Sequence, residues 1–92
     1  MYSFESFRSY CRTMAGEVLY TGSQAKPFSV AVEGEAVYFV PQSSGTPRRA
    51  DSEKTERVLA LLSESGEWSP GKYQAITFHA SYILAVAKHR GA

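Results

Sequence analysis

The sequence predicts a small α+β domain in which helices cover a three-stranded antiparallel sheet. Residues 17–41 contain three short segments rich in β-branched and aromatic residues, and the turns between them contain proline and glycine. Segments in which apolar residues recur every three or four positions stand on both sides of that region. Three strands joined by short turns give an antiparallel meander, so the expected order is α-β-β-β-α-α. With 92 residues, the chain is expected to form one domain, 1–92.

The first helix is predicted over residues 3–14. Ser3 is its expected N-cap, because a serine hydroxyl can accept a hydrogen bond from a free amide of the first turn. The large apolar side chains recur at three- and four-residue spacings, which places them on one face. They are Phe4, Phe7, Tyr10, Cys11 and Met14. This face is expected to join the core, and the alternative is that part of it docks a partner chain.

The three strands are predicted over residues 17–21, 28–33 and 36–41. In the second strand apolar residues alternate with small or polar ones, which puts one set toward the core and the other toward water. The third strand does not alternate, because Ala, Val, Tyr, Phe and Val follow one another from residue 36. A strand that is apolar on both faces needs cover on both sides.

The surplus of apolar residues in the third strand predicts self-association. Val37, Tyr38 and Phe39 are the expected interface residues, together with part of the first helix. A closed twofold dimer is the commonest result of such a contact. The alternative is that the helices cover both faces of so short a sheet.

A loop over residues 41–50 leads into the second helix, which is predicted over about 52–64. Asp51 or Ser52 is the expected N-cap, and Gly66 is well placed to end the helix.

The C-terminal stretch is predicted as two helices, over about 70–77 and 80–88. The isoleucine, threonine and phenylalanine at 76–78 favour a helix poorly, so we expect a break near His79. One continuous helical stripe is the alternative.

Charge and composition narrow the classes of function. Ten lysines and arginines face nine aspartates and glutamates, and the net charge of +1 gives no global attraction to nucleic acid or anionic lipid. The N-terminal stretch lacks the apolar core of a secretory signal, and no run approaches the roughly 18 apolar residues of a membrane helix, so we expect no membrane partner. Cys11 is the only cysteine, which favours a reducing, cytoplasmic location.

The distribution of basic residues indicates where a phosphate would bind. Arg48 and Arg49 end a loop rich in serine, threonine and glycine, just before a helix, and guanidinium, hydroxyl and amide groups all suit phosphate oxygens. No acidic residue follows Glu67, so the C-terminal segment is basic. Its candidate phosphate-binding residues are Lys72, Lys88 and Arg90. Trp68 and Tyr73 are the aromatic residues in this region that are candidates for stacking on unpaired bases.

No catalytic or metal-binding constellation stands out in the sequence. Cys11 falls on the apolar face of the first helix, where burial is expected to raise its pKa, and His79 is expected to be structural. Phosphate-loop, dinucleotide and zinc-protease motifs are missing, so we expect neither an enzyme nor a cofactor.

Two hypotheses about function follow. The first is a binding module that contacts the phosphate backbone of nucleic acid through the basic loop. The alternative is a protein-interaction or regulatory module that homodimerises through apolar surface around the third strand and the first helix. The first hypothesis requires the Arg48-Arg49 loop and the acid-free C-terminal segment to share a face.

Overall fold

The computed structural model describes residues 3–22 and 24–91, which form three α-helices and a four-stranded antiparallel sheet. The predicted α+β class is therefore confirmed, with one strand more than expected. The helices are α1 (Phe4–Thr13), α2 (Ser52–Ser65) and α3 (Ala80–Arg90), with a 3₁₀ turn at Pro70–Tyr73. The strands are β1 (Leu19–Tyr20), β2 (Pro27–Glu33), β3 (Ala36–Pro41) and β4 (Arg48–Arg49), and they neighbour one another in chain order.

The inner face of the sheet is built from the alternating side chains of β2 and β3. Val30 lies opposite Phe39, and Val32 lies opposite Val37, so the apolar residues of the two strands meet in pairs. Phe39 and Val37 are fully buried beneath the helices. The apolar face of α1 joins this core, since Phe7 is fully buried and its ring lies edge-on to the ring of Phe39.

The outer face of the sheet carries the other half of each strand. Ala31 lies opposite Tyr38, and Ser29 lies opposite Val40. These four side chains are half-buried, and within 3–22 and 24–91 no helix packs over them. The helices therefore cover the inner face of β3 and leave its outer face open.

Helices α1 and α2 both begin at the capping residues that the sequence predicts. Ser3 Oγ accepts from the amide of Ser6 at 3.1 Å at the start of α1. Asp51 Oδ1 accepts from the amide of Lys54 at 2.9 Å at the start of α2. Gly66 ends α2 with φ of 67°, a left-handed conformation in which glycine carries no side-chain clash.

The region before α3 differs from the predicted helix over 70–77. Only the 3₁₀ turn at Pro70–Tyr73 is helical, and the amides of Ile76 and Thr77 both bond to the carbonyl oxygen of Tyr73. Turns continue to His79, which stands at the N-cap position of α3. The β-branched pair prefers extended backbone, which explains why the helix does not continue.

Strand β4 is the element that the sequence analysis assigned to a loop. Arg48 pairs with Phe39 and Arg49 pairs with Tyr38, and the amide of Ala50 donates to Val37 O at 2.8 Å. Both arginines are exposed, so the strand owes its place to main-chain pairing with β3 and not to apolar burial.

Candidate functional site

A groove of about 370 Å³ runs between the edge strand β1 and helix α3. Its rim carries large apolar side chains that remain in contact with solvent: Tyr20 is 61% exposed, Val18 46% and Trp68 39%. Leu84 of α3 is nearly buried and contributes to its lining, together with Pro70. Exposed aromatic and aliphatic groups gathered around one concave surface are typical of a binding site.

The wall formed by β1 follows from the alternation of its side chains. Leu19 points into the core, so Val18 and Tyr20 point away from it. The amide of Thr21 donates to Lys26 O at 3.0 Å, which makes Thr21 and Lys26 a hydrogen-bonded pair in the antiparallel ladder. The N–H and C=O of Tyr20, one position earlier, therefore face the free edge of the sheet. Its partner Pro27 has no amide to offer.

The opposite wall holds Trp68 in a loop that its own hydrogen bonds fix. Ser65 Oγ accepts from the amide of Glu67 at 3.2 Å, and Glu67 Oε1 accepts from the amide of Ser69 at 3.0 Å. Tyr73 donates its hydroxyl to the carbonyl oxygen of Glu67 at 2.7 Å. These bonds flank Trp68 on both sides, so the indole is presented from a loop whose backbone is already ordered.

The surroundings of this loop lower the pKa of the Glu67 carboxyl. The largest cause is the hydrogen bonding from Ser69, and the positive charge of Lys72 adds to it. Because Ser69 and Lys72 lie within five residues of Glu67 along the chain, this shift reflects local order in the loop.

One end of the groove is polar and basic. Lys88 and His89 line it, and His89 is held by the Tyr10 hydroxyl at Nδ1. His89 Nε2 lies 3.6 Å from Glu17 Oε1, an ion pair when the imidazole is protonated. Lys88 has no ion pair with any of the residues that the structure describes. Its ammonium group is therefore available to an acidic ligand.

A second exposed aromatic residue lies beside the groove. Phe78 is 89% exposed and lines a smaller depression of about 200 Å³ with Lys26 and Tyr82. Pro70 and Ser81 line both concavities, so the two adjoin. Phe78 thus adds an exposed aromatic ring beside the groove, in a depression whose other lining residues are largely polar.

The structure separates the residues predicted to bind phosphate. Arg48 and Arg49 occupy successive positions of β4, so their side chains leave opposite faces of the sheet. Lys72 lies beside Glu67, and Lys88 lines the groove. Arg90 lies beside α1, in an open depression that includes Ser6 and Tyr10. Each of the concave surfaces described for residues 3–22 and 24–91 contains at most one of the five.

Arg48 belongs to a different basic group. Burial lowers the pKa of His79, and the positive charges of Arg48 and Lys54 lower it further. These three residues therefore lie near one another, on the helix side of β4. No local pattern in the sequence places Lys54 beside Arg48, because the two residues belong to different elements, α2 and β4.

Three of the predicted contact residues require correction because the structure buries them. Tyr73 is 2% exposed and is a core residue whose hydroxyl fixes the Trp68 loop, so its ring cannot stack on a base. Val37 and Phe39 are fully buried on the inner face of the sheet and cannot meet a partner chain. Of the predicted interface residues, only Tyr38 reaches the outer face.

Trp68 and Lys88 were predicted from the sequence as contact residues, whereas their neighbours across the groove were not. Val18 and Tyr20 share a face of the first strand in the sequence pattern, opposite Leu19. A sheet edge with large apolar residues on its solvent side was the available signal. Phe78 carried no comparable signal, since its exposure depends on how the turns before α3 run.

The other chemistry-bearing groups add no competing site. Cys11 is fully buried, and burial raises the pKa of its thiol to about 12, as expected from its place on the apolar face of α1. Within residues 3–22 and 24–91, no group of three histidine, cysteine or acidic side chains is arranged to hold a metal ion. Over the same residues, no helix has the length and apolar character needed to cross a bilayer.

No protein-family model, curated protein or solved structure matches this chain. Its function is therefore inferred from the geometry of its own residues.

Proposed function

We propose that the chain is a small protein-interaction module whose groove between β1 and α3 docks a segment of a partner polypeptide. The observation that supports the proposal is the gathering of Trp68, Tyr20 and Val18, all substantially exposed, around one groove. Aromatic residues in such positions are the usual anchors of protein–protein contacts. A protein-interaction role was the alternative hypothesis from the sequence. The proposed contact surface now lies at β1 and not around the third strand.

The chemistry of the groove specifies the kind of segment it would accept. An extended chain can pair its main chain with the free N–H and C=O of Tyr20 at the edge of β1. An apolar side chain of the partner would then lie against Trp68 and Leu84. A carboxylate placed toward the other end would face Lys88. We therefore expect a short, extended, apolar and acidic segment.

The experiment uses Trp68 as its own reporter, because it is the only tryptophan in the chain. A library of random peptides is panned against the protein, and each enriched peptide is titrated by calorimetry and by Trp68 fluorescence. We expect enriched peptides to combine apolar and acidic residues and to shift the Trp68 emission in a saturable way. Trp68→Ala should weaken binding by about 2 kcal/mol or more, the size of an interface hot spot.

Two further variants make the test specific. Lys88→Gln should weaken binding of the acidic peptides, with the greatest effect at low salt. Leu61→Ala is the matched control, since Leu61 is an exposed apolar residue of α2 that does not line the groove. The proposal fails if enriched peptides bind Trp68→Ala and Leu61→Ala equally well while both variants keep the native circular dichroism spectrum.

Nucleic-acid binding is the second candidate, and the proximity of Arg48, Lys54 and His79 favours it. Phosphate contacts of this kind predict affinity that falls steeply as salt rises. Arg48→Gln and Lys54→Gln should each reduce the slope of log affinity against log salt by about one unit. If the purified protein binds neither single- nor double-stranded DNA at low salt, nucleic-acid binding is ruled out.

Homodimerisation through the outer sheet face is the remaining form of the interaction hypothesis. The apolar surface of this face consists of Ala31, Tyr38 and Val40, whereas the apolar residues of α1 pack into the core. Sedimentation velocity of the native chain and of Tyr38→Ser tests it, and a native monomer at high concentration contradicts it. A cytoplasmic location is part of the same proposal, because the buried, unpaired Cys11 suits a reducing compartment.

A further inference from the structure

We infer that the groove between β1 and α3 binds the C-terminal end of a polypeptide, with the terminal carboxylate at Lys88. The inference rests on the docking function proposed above and specifies its partner. About three residues of that partner would lie along β1 as an added antiparallel strand. The acidic group expected of the docked segment is then its terminal carboxylate and not an acidic side chain.

The length of the groove follows from the residues that α3 contributes to it. They recur at helical spacing and form one stripe along the helix: Ser81, Leu84, Ala85, Lys88 and His89. From Ser81 to Lys88 the helix rises about 10 Å, since each residue adds about 1.5 Å. An extended chain covers that distance in about three residues. The stripe passes from polar through apolar to basic, so it distinguishes the two ends of a bound segment.

Contacts at the two ends of the groove fix its direction. His89 Nε2, near the end of α3, lies 3.6 Å from Oε1 of Glu17, which precedes β1. Ser81, near the start of α3, lines the adjoining depression with Thr21, which follows β1. Helix α3 therefore runs antiparallel to β1, and Lys88 lies at the end of the groove where β1 begins. A strand added antiparallel to β1, the more stable pairing, has its C-terminus at that same end.

The free edge of the sheet stops at Val18. Its N–H and C=O make no main-chain hydrogen bond with any residue of 3–22 and 24–91. The amide of Glu17 instead donates to Met14 O at 3.1 Å, so the chain has already turned toward α1. A partner's last residue opposite Val18 can donate its amide to Val18 O and accept from Val18 N–H through its carboxylate. An internal residue in that place would send the partner chain on past the negative charge of Glu17.

The charge at this end of the groove suits one carboxylate. Among the residues that the structure describes, no acidic residue lines the groove. Glu17 faces the imidazole of His89, whose other nitrogen is hydrogen-bonded to the Tyr10 hydroxyl. The imidazole is therefore engaged on both sides. Lys88 is exposed and has no ion pair within the same part of the chain, so its ammonium group supplies the positive charge that a carboxylate would meet.

The test begins with two libraries of random peptides, one with a free C-terminus and one in which a fixed glycine-serine linker follows the random residues. We expect enrichment from the first. Each enriched peptide is then synthesised as the free acid and as the C-terminal amide, and the two dissociation constants are compared by calorimetry. Amidation should weaken binding by about tenfold or more, the loss expected for one charged hydrogen-bonding group. Hydrogen exchange of the Val18 amide, followed by NMR, should slow in the complex with the acid.

Lys88→Gln connects the carboxylate with its partner in a double-mutant cycle. This variant should weaken binding of the free acid by about tenfold and leave the affinity for the amide unchanged. Lys54→Gln is the matched control, because Lys54 is an exposed lysine of α2 that does not line the groove. It should bind both forms as the native chain does. Both lysines are exposed, so neither variant disturbs the core.

Three results would overturn the inference and leave the docking function in place, provided that Trp68→Ala still weakens binding. They are equal affinity for the acid and the amide, equal weakening of both forms by Lys88→Gln, and enrichment from the linker library alone. If neither library yields a peptide whose binding depends on Trp68, the docking function fails and this inference fails with it.

Discussion

Replacement of Phe39 by alanine should test the core more sharply than any other single change. Phe39 is fully buried in β3, and its ring contacts four other rings. The centroid distances are 5.3 Å to Tyr82, 6.1 Å to His79, 6.3 Å to Phe7 and 6.4 Å to Phe28. These partners come from α1, β2, α3 and the turn before α3, so the ring joins most of the domain.

The expected loss follows from the burial and from the size of the protein. Truncation of a buried phenylalanine to alanine costs about 3–5 kcal/mol, which combines lost transfer free energy with the cavity left behind. A chain of 92 residues has a total unfolding free energy of about 5–14 kcal/mol. Phe39→Ala therefore removes a large share of the stability, and with a urea m-value of about 1–2 kcal/mol per molar the midpoint falls by about 1.5–5 M.

The assay is urea unfolding followed by circular dichroism, with Phe78→Ala as the matched control. Phe78 undergoes the same chemical truncation but is 89% exposed, so its loss should stay within about 0.5 kcal/mol. Equal midpoints for the two variants would refute the assignment of Phe39 to the core and of Phe78 to the surface. A greater loss for Phe78→Ala would refute it more strongly.

Three further outcomes concern the backbone, a histidine and the thiol. Gly66→Ala should lower the unfolding free energy by about 1 kcal/mol, because residue 66 has φ of 67°. Gly71→Ala is the control and should not destabilise the fold, since residue 71 has no positive φ and no atom lies near the new Cβ. Equal urea midpoints for the two variants would contradict this. As the pH falls below 6.5, His79 becomes protonated in the unfolded chain but stays neutral in the folded chain, where its pKa is lowered. The unfolding free energy should therefore fall as the pH falls, and it should fall less steeply in His79→Gln. Cys11, with its pKa raised to about 12, should react with a disulfide reagent at pH 8 only after urea unfolds the chain; rapid reaction of the native protein would contradict its burial.

The features that the sequence predicted are those that local chemistry determines. The capping carboxylate of Asp51 and the left-handed Gly66 bound α2 because each acts on neighbouring backbone groups. The alternation of Phe28 and Val30 identified β2 because a strand repeats its faces every two residues. These signals need no knowledge of the rest of the fold.

The features that the sequence missed depend on partners far along the chain. Strand β4 is made of two exposed arginines, and only the neighbouring β3 makes them a strand. Arg8 is one of several charged residues on the exposed face of α1 in the sequence, and only the folded chain brings its Nη1 to the carbonyl oxygen of Glu35. The groove likewise forms only because β1 and α3 lie side by side in the fold, and no local sequence pattern predicts that contact.

The sheet's outermost strands bear on how the protein behaves when it is crowded. β1 and β4 are two residues each, whereas the seven-residue β2 and the six-residue β3 lie between them. A long bare strand edge is a template on which further copies can add one after another, and short or charged edges suppress that growth. β4 presents two arginines as well as a short length. The edge strands are therefore poor templates for the addition of further copies. Concentrated preparations should stay free of fibres formed in this way while the native fold persists.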